Sequence, residues 1–198
     1  MKTLEPTYGG HNRPEREPRI SNSALGMVAF IGTELMFFAA LISAFLIISS
    51  AAEAWPPEGQ PRLPIYVTAL NSLVLFASGW MMFKAYHSFK ATSFSEETSK
   101  LVRITMWLGI VFVAVQGIEW MRLLSYGLTM TSSQYGAFFY LIIGTHAIHA
   151  IGAVIGLRRL SLKLEKGTLR LETFQAVQLF WFFVVGVWPI LYVLVYLS

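Results

Sequence analysis

The sequence predicts an all-α fold, an integral membrane bundle of five transmembrane helices, and three observations carry that prediction. Of 198 residues 55% are hydrophobic and 13% charged, which is about half the charge of a soluble domain. Mean hydropathy is +0.57, and 15 Phe, 8 Tyr and 6 Trp need more apolar surroundings than one small core supplies. The apolar residues also gather into five runs, each long enough to cross hydrocarbon, which takes about 20 residues at about 1.5 Å of rise per residue.

The runs fall near residues 23–48, 65–86, 101–124, 134–156 and 174–197. Before them, residues 1–22 mix Pro14, Pro18, Arg and Glu without the apolar stretch of a secretory signal, and read as a polar arm. In helix one, Asn22, Gly26, Ala29, Thr33, Met36, Ala40 and Ser43 follow an alternating spacing of four and three, nearly all of them small. That is the pattern of a packing seam between membrane helices, with Phe30, Phe37, Leu41 and Phe45 off it. Helix two repeats it with Thr68, Asn71, Ser72, Ser78 and Gly79, and helix four has Gly152 and Gly156 in a G-x-x-x-G step. Pro189, inside the fifth run, removes one helical hydrogen bond and is expected to kink that helix in its outer third. No connection exceeds about 20 residues, so residues 23–198 read as one domain.

Charge sets the orientation. Lys2, Arg13, Arg16 and Arg19 precede helix one; Lys84, Lys90, Lys100 and Arg103 flank the turn after helix two; Arg158, Arg159, Lys163, Lys166 and Arg170 fill the turn after helix four. Thirteen of the 15 basic residues therefore sit on one side, and only Arg62 and Arg122 belong to the other. Because basic loops stay inside, the N-terminus is expected in the cytoplasm and the C-terminus outside, in agreement with an odd number of spans. The net charge of +4 is thus a topology signal and gives no reason to expect a nucleic-acid partner.

Ionisable groups at depth are costly, about 3 kcal/mol or more at the bilayer centre. Glu34 lies near the middle of helix one, and Glu119 in helix three shares a face with Gln116. With no Lys or Arg near mid-membrane, each is expected to be protonated, to face water, or to pair with another subunit. His146 and His149 lie three apart in helix four. Such a pair can start a metal site, but His11 and His87 lie outside the spans and the chain has neither Cys nor Asp, so only Glu34 or Glu119 could complete it. Core histidines joining helices are the favoured reading. No phosphate-binding, dinucleotide-binding or hydrolase motif occurs.

Several phrases, read in order, resemble subunit III of the haem–copper oxidases. They are Gly32-Thr33-Glu34-Leu35-Met36-Phe37-Phe38; Trp55-Pro56-Pro57; Leu70-Asn71-Ser72 with Ala77-Ser78-Gly79; His87-Ser88; Gln116-Gly117-Ile118-Glu119-Trp120; Tyr135-Gly136 with Phe138-Phe139; Gly144-Thr145-His146-Ala147-Ile148-His149; and Trp188-Pro189-Ile190-Leu191-Tyr192-Val193. They match the last five helices of the seven-helix form, which implies the short bacterial type and the bacterial inner membrane. The resemblance implies a non-catalytic subunit that packs on the haem-bearing subunit I, binds phospholipid in a cleft and sustains proton-linked electron transport to oxygen. Haem and copper are then expected in partner subunits and none in this chain, and a larger respiratory supercomplex is a possible setting. By the same resemblance Glu34, Thr33 and Asn71 belong to the lipid cleft or subunit I contact, and Gln116, Glu119, His146 and His149 to an interhelical polar cluster. The family's W-H-F-x-D is here Trp181-Phe182-Phe183-Val184-Val185, so roles of that His and Asp do not carry over. This departure leaves open a cytochrome c oxidase, a quinol oxidase, or the subunit-III-like partner of nitric oxide reductase. A proton-coupled carrier acting alone is the alternative of another class, and the absence of paired repeats speaks against it.

Overall fold

A computed structural model of the chain describes residues 22–57, 59 and 61–197. The polar arm therefore lies outside the described residues, except for Asn22. Five helices follow one another, α1 (Asn22–Ala51), α2 (Ile65–Thr92), α3 (Glu96–Ser125), α4 (Gln134–Glu165) and α5 (Leu171–Leu191), and α5 runs on into a π-helical turn at Tyr192–Tyr196. All five are long and apolar enough to cross a membrane, and no strand occurs among the described residues. The expected fold class and all five spans are thus present.

Several helices outrun the expected limits on the side of the α2–α3 and α4–α5 turns. α3 starts at Glu96 and α4 continues to Glu165, because helix propensity and capping continue into water where hydropathy alone stops. Ser95 caps α3, its hydroxyl accepting from the Thr98 amide at 3.1 Å, with Glu96 and Glu97 in the first turn opposite the positive end of the helix. Ser133 caps α4 through the Gly136 amide at 3.0 Å. α3 and α4 end alike: Gly127 (φ +89°) and Gly167 (φ +64°) turn left-handed, and the next amides, Leu128 and Thr168, reach back to the Leu123 and Lys163 carbonyls at 3.0 Å each.

α5 is the hub, packing on α1, α2 and α4, while α2 packs on α3, α3 on α4, and α1 lies at the edge on α5 with a slighter contact to α4. The small polar stripe of α2 faces inward as expected, with Thr68, Asn71, Ser72, Ser78 and Gly79 all buried. The stripe of α1 does the reverse. Gly26, Ala29, Thr33, Met36, Ala40 and Ser43 are exposed, and the side turned to the bundle carries Phe38 and Phe45, with Glu34 and Leu41 half-buried. The bulky stripe has the same period as the small one and offers more dispersion contact to α5 and α4, so the period alone cannot choose between them. Of the two glycines in the G-x-x-x-G step of α4, Gly156 meets a neighbour, Val177 of α5, and Gly152 meets none. Past Pro189 the α-helical hydrogen-bond pattern gives way to the π turn, where Tyr192 and Tyr196 stack at 5.6 Å. At the opposite end of α4 from the Gly167 turn, Trp55 wedges between Phe45 and Tyr135, with ring centroids 5.5 and 5.4 Å away.

Candidate functional site within the membrane

The polar groups at depth form three separate sets. In the first, Glu34 of α1 meets His149 of α4, Oε2 to Nε2 at 3.0 Å. The ring is oriented from its other side, where Nδ1 lies 2.8 Å from the Thr145 carbonyl one turn earlier. A carbonyl only accepts, so Nδ1 carries a proton. The remaining contact then holds one proton in either of two forms: a carboxylic acid donating to Nε2, or an imidazolium donating to a carboxylate. Both forms are neutral overall, which avoids the cost of a net charge at this depth. Phe38, Phe180 and Phe183 surround the imidazole at 5.5–6.2 Å, while the two side chains keep 14% and 20% of their surface open at the bundle's edge. The expectation that Glu34 would find no partner in its own chain is corrected here, because its partner is a histidine 115 residues away. Thr33, beside it in sequence, takes no part: its hydroxyl donates to the Phe30 carbonyl at 2.7 Å on the exposed face.

The second set joins α2, α3 and the π turn. Asn71 Nδ2 donates to the Phe112 carbonyl at 3.0 Å and more weakly to Gln116 Oε1 at 3.4 Å, and Gln116 Nε2 donates to the Tyr196 hydroxyl at 2.7 Å. The Thr68 hydroxyl and the Trp120 indole nitrogen are buried without a hydrogen-bond partner among the described residues. Alongside, Trp188 Nε1 donates to Ser72 Oγ at 2.7 Å, and the His146 ring lies 5.1 Å from the Trp188 ring, tilted by 31°. His146 is buried, and its Nε2 has no hydrogen-bond partner among the described residues.

The third set is an ion pair. Arg122 Nη1 reaches Glu119 Oε1 at 2.8 Å, one helical turn away, with 61% of the arginine side chain exposed and 8% of the glutamate. This corrects the reading of Glu119 as unpartnered and of Arg122 as a loop residue. Arg122 closes the last turn of α3, from which a long side chain can lie back along the helix while its charge stays toward water.

The predicted residues are therefore regrouped. Asn71 joins Gln116 rather than Glu34; His149 joins Glu34 rather than His146, Gln116 and Glu119. His146 and His149 share a helix side closely enough to touch Phe38 together at 6.4 and 5.5 Å, but their outer ring nitrogens serve different neighbours. Sequence reasoning passed over Ser72–Trp188 and Tyr196 as partners, which lie 116 and 80 residues from their counterparts and carry no local signal. Arg122 had such a signal, at three residues from Glu119. Among the described residues no group of three or more His, Cys, Asp or Glu could hold a metal ion.

Comparison with known proteins agrees with this architecture. The family model for cytochrome c oxidase subunit III matches residues 4–198. Among similar proteins, cytochrome c oxidase subunit 3 of Synechocystis sp. is 31% identical over 194 residues, covering 96% of this chain and 79% of the relative. Its namesake in Pan troglodytes is 34% identical over 204 residues, covering 97% and 74%, and that of Homo sapiens 33% over 206 residues, covering 98% and 75%. With a match over nearly its whole length and its five apolar helices, this multi-pass membrane protein belongs to the cytochrome c oxidase subunit III family.

Proposed function

We propose that the chain is the non-catalytic accessory subunit of an aerobic respiratory haem–copper oxidase, packed on the catalytic subunit I in a bacterial inner membrane with its N-terminus in the cytoplasm. Family membership supports the oxidase. The donor inventory supports the accessory role, since both ring nitrogens of His149 are engaged within the chain and the described residues hold only two other histidines, His146 and, near the end of α2, His87. An oxidase core needs about six imidazoles for its haems and copper. Haem and copper then belong to the partner subunits. The orientation draws support from Lys90, Lys100, Arg103, Arg158, Arg159, Lys163 and Lys166, all placed at the end of the bundle where the α2–α3 and α4–α5 turns lie.

One observation carries the site reading: Glu34 Oε2 and His149 Nε2 meet at 3.0 Å at the bundle's edge, sheltered by phenylalanines yet partly open. Such a pair can hold or pass a proton without leaving a charge in hydrocarbon, and its open side suits phospholipid acyl chains or the flank of subunit I. Isolation from native membranes in mild detergent, through a tag on the C-terminus, should bring down a haem-bearing partner visible by its absorption bands. A colourless chain without partner overturns the proposal. In the purified oxidase, Glu34→Gln should leave assembly and initial turnover near wild type and shorten the lifetime of activity under sustained turnover several-fold. Unchanged durability would reduce Glu34 to a packing residue.

A further inference from the structure

Where α2 turns into α3, the two helices leave an open depression of about 410 Å³ in their exposed face. Its lining is mixed, with Phe83, Lys84 and His87 from α2 and Glu97 and Leu101 from α3. Lys84 and Glu97 bring opposite charges to one depression, yet among the described residues neither has an ion-pair partner. The lysine is also turned inward. A helical side chain leans toward the N-terminus of its helix, and α2 runs toward this end of the bundle, so Nζ points back into the membrane and lies 5.9 Å from the centre of the Trp80 ring, one turn deeper. A lysine near a membrane surface ordinarily reaches outward to water. Beside it Trp80 stacks on Phe83 at 5.6 Å, and the His87 ring meets Phe83 at 4.4 Å.

The order of these groups along the bundle narrows the occupant. Glu97 stands in the first turn of α3, whereas Lys84 stands two turns before the end of α2, about 10 Å nearer the middle of the membrane at about 1.5 Å per residue. Trp80 and Phe83, 57% and 43% exposed, lie at the level of the lysine and beyond it, where interfacial aromatics meet hydrocarbon. From hydrocarbon to water the depression therefore presents aromatic rings, then a cation with His87, then an anion. A phospholipid in the same leaflet presents acyl chains, then a phosphate, then the group esterified to that phosphate. Glu97 asks for a cation in this last place. A glycerol head group brings no positive charge there, a choline brings one without an N–H to donate, and a serine adds a carboxylate that Glu97 would repel. We infer that the α2/α3 depression binds phosphatidylethanolamine, its phosphate on Lys84 and His87, its primary ammonium on Glu97, and its acyl chains against Trp80 and Phe83. The contacts to Lys84 and Glu97 are then charge-assisted hydrogen bonds, the stronger kind. The site shares no residue with the Glu34–His149 pair, and neither reading depends on the other.

The test is photolabelling of native membranes with phosphatidylethanolamine that carries a diazirine at the start of one acyl chain, label being mapped by peptide and normalised to the amount of this chain. Label is expected on residues 80–107. Excess unlabelled phosphatidylethanolamine should lower it about fivefold further than equal phosphatidylglycerol or phosphatidylcholine, the size of a partly exposed charge contact. Glu97→Gln should abolish that preference, since it removes the charge that meets the ammonium and keeps the shape. Lys84→Gln, and Ala91→Trp, which fills the depression and leaves its charges in place, should each lower the label several-fold. All three side chains are exposed, so the variants are expected to accumulate like the native chain. Equal competition by the three lipids, or a preference that survives Glu97→Gln, overturns the inference and leaves a shell of bulk lipid. Absence of label from residues 80–107 overturns it too, and means that a protein partner covers the depression.

Discussion

α1 and α5 are equally apolar, yet 11% of the α1 span is buried inside the chain and 44% of the α5 span. α5 touches three other helices and buries Phe174, Trp181, Val184, Trp188 and Leu191. α1 turns Leu25, Met36 and Ile47 outward, with Met36 75% exposed. Hydropathy therefore reports that a helix crosses the membrane and nothing about what it packs against, because hydrocarbon is as apolar as a protein core and gives no drive to turn one apolar face inward. Shape and hydrogen bonds decide, and on α5 both are concentrated.

The contrast predicts a graded response to substitution. Trp181→Ala should be the most damaging, about 3–5 kcal/mol of stability, since it empties the site of a 1% exposed indole at the centre of the bundle. Its effect should appear as a lower midpoint of heat-induced aggregation of the detergent-purified protein. Gly109→Ala comes next, at about 1–3 kcal/mol. The added Cβ would stand 2.6 Å from Trp181 Cη2 and 3.2 Å from Val154 Cγ2, and a buried indole has little room to yield. A thermal midpoint equal to wild type would mean that α5 is packed more loosely than its burial implies.

Ser72→Ala tests a hydrogen bond of the hub by itself. It leaves Trp188 Nε1 buried without its acceptor, for a loss of about 0.5–1.5 kcal/mol, the size of polar contacts between membrane helices; Ser72→Thr should restore most of it in the same melting assay. Gly32→Ala on α1 is the smallest, within about 0.5 kcal/mol of zero, because its Cβ meets nothing within 4 Å. If Gly32→Ala is neutral in the isolated chain but weakens the assembled oxidase, the outward face of α1 is covered by a partner, and the contrast between the helices belongs to the chain alone.

Much of the fold was legible because length and hydropathy suffice to mark a span. The inward stripe of α2 was also legible, since Asn71 and Ser72 have few tolerable places in lipid except against another helix. The stripe of α1 was not. Gly26, Ala29 and Thr33 share their period with Glu34, Phe38 and Phe45, and nothing local says which set meets α5. The polar site was half legible: Glu34 and Glu119 were singled out as costly at depth, and Asn71, Gln116, His146 and His149 as polar groups between helices, but which of them meet one another was not. His146 and His149 are three residues apart, about 60° around the helix, which is enough to send one imidazole toward Trp188 and the other toward α1.

By itself the sequence determined that the chain crosses the membrane five times, which end of the bundle collects the basic turns, and which residues would carry a desolvation cost. Those are sums over neighbours in the chain: apolar length, charge count, caps such as Ser95 and Ser133. Only the tertiary structure decided that Glu34 meets His149, that Gln116 holds Tyr196, and that His146 is buried beside Trp188. Each of these depends on the rotation of one helix about its axis relative to another, set by how Trp181, Trp188 and Phe38 fill the space between helices. Periodicity says how often a face recurs, whereas packing between distant segments chooses which face it is.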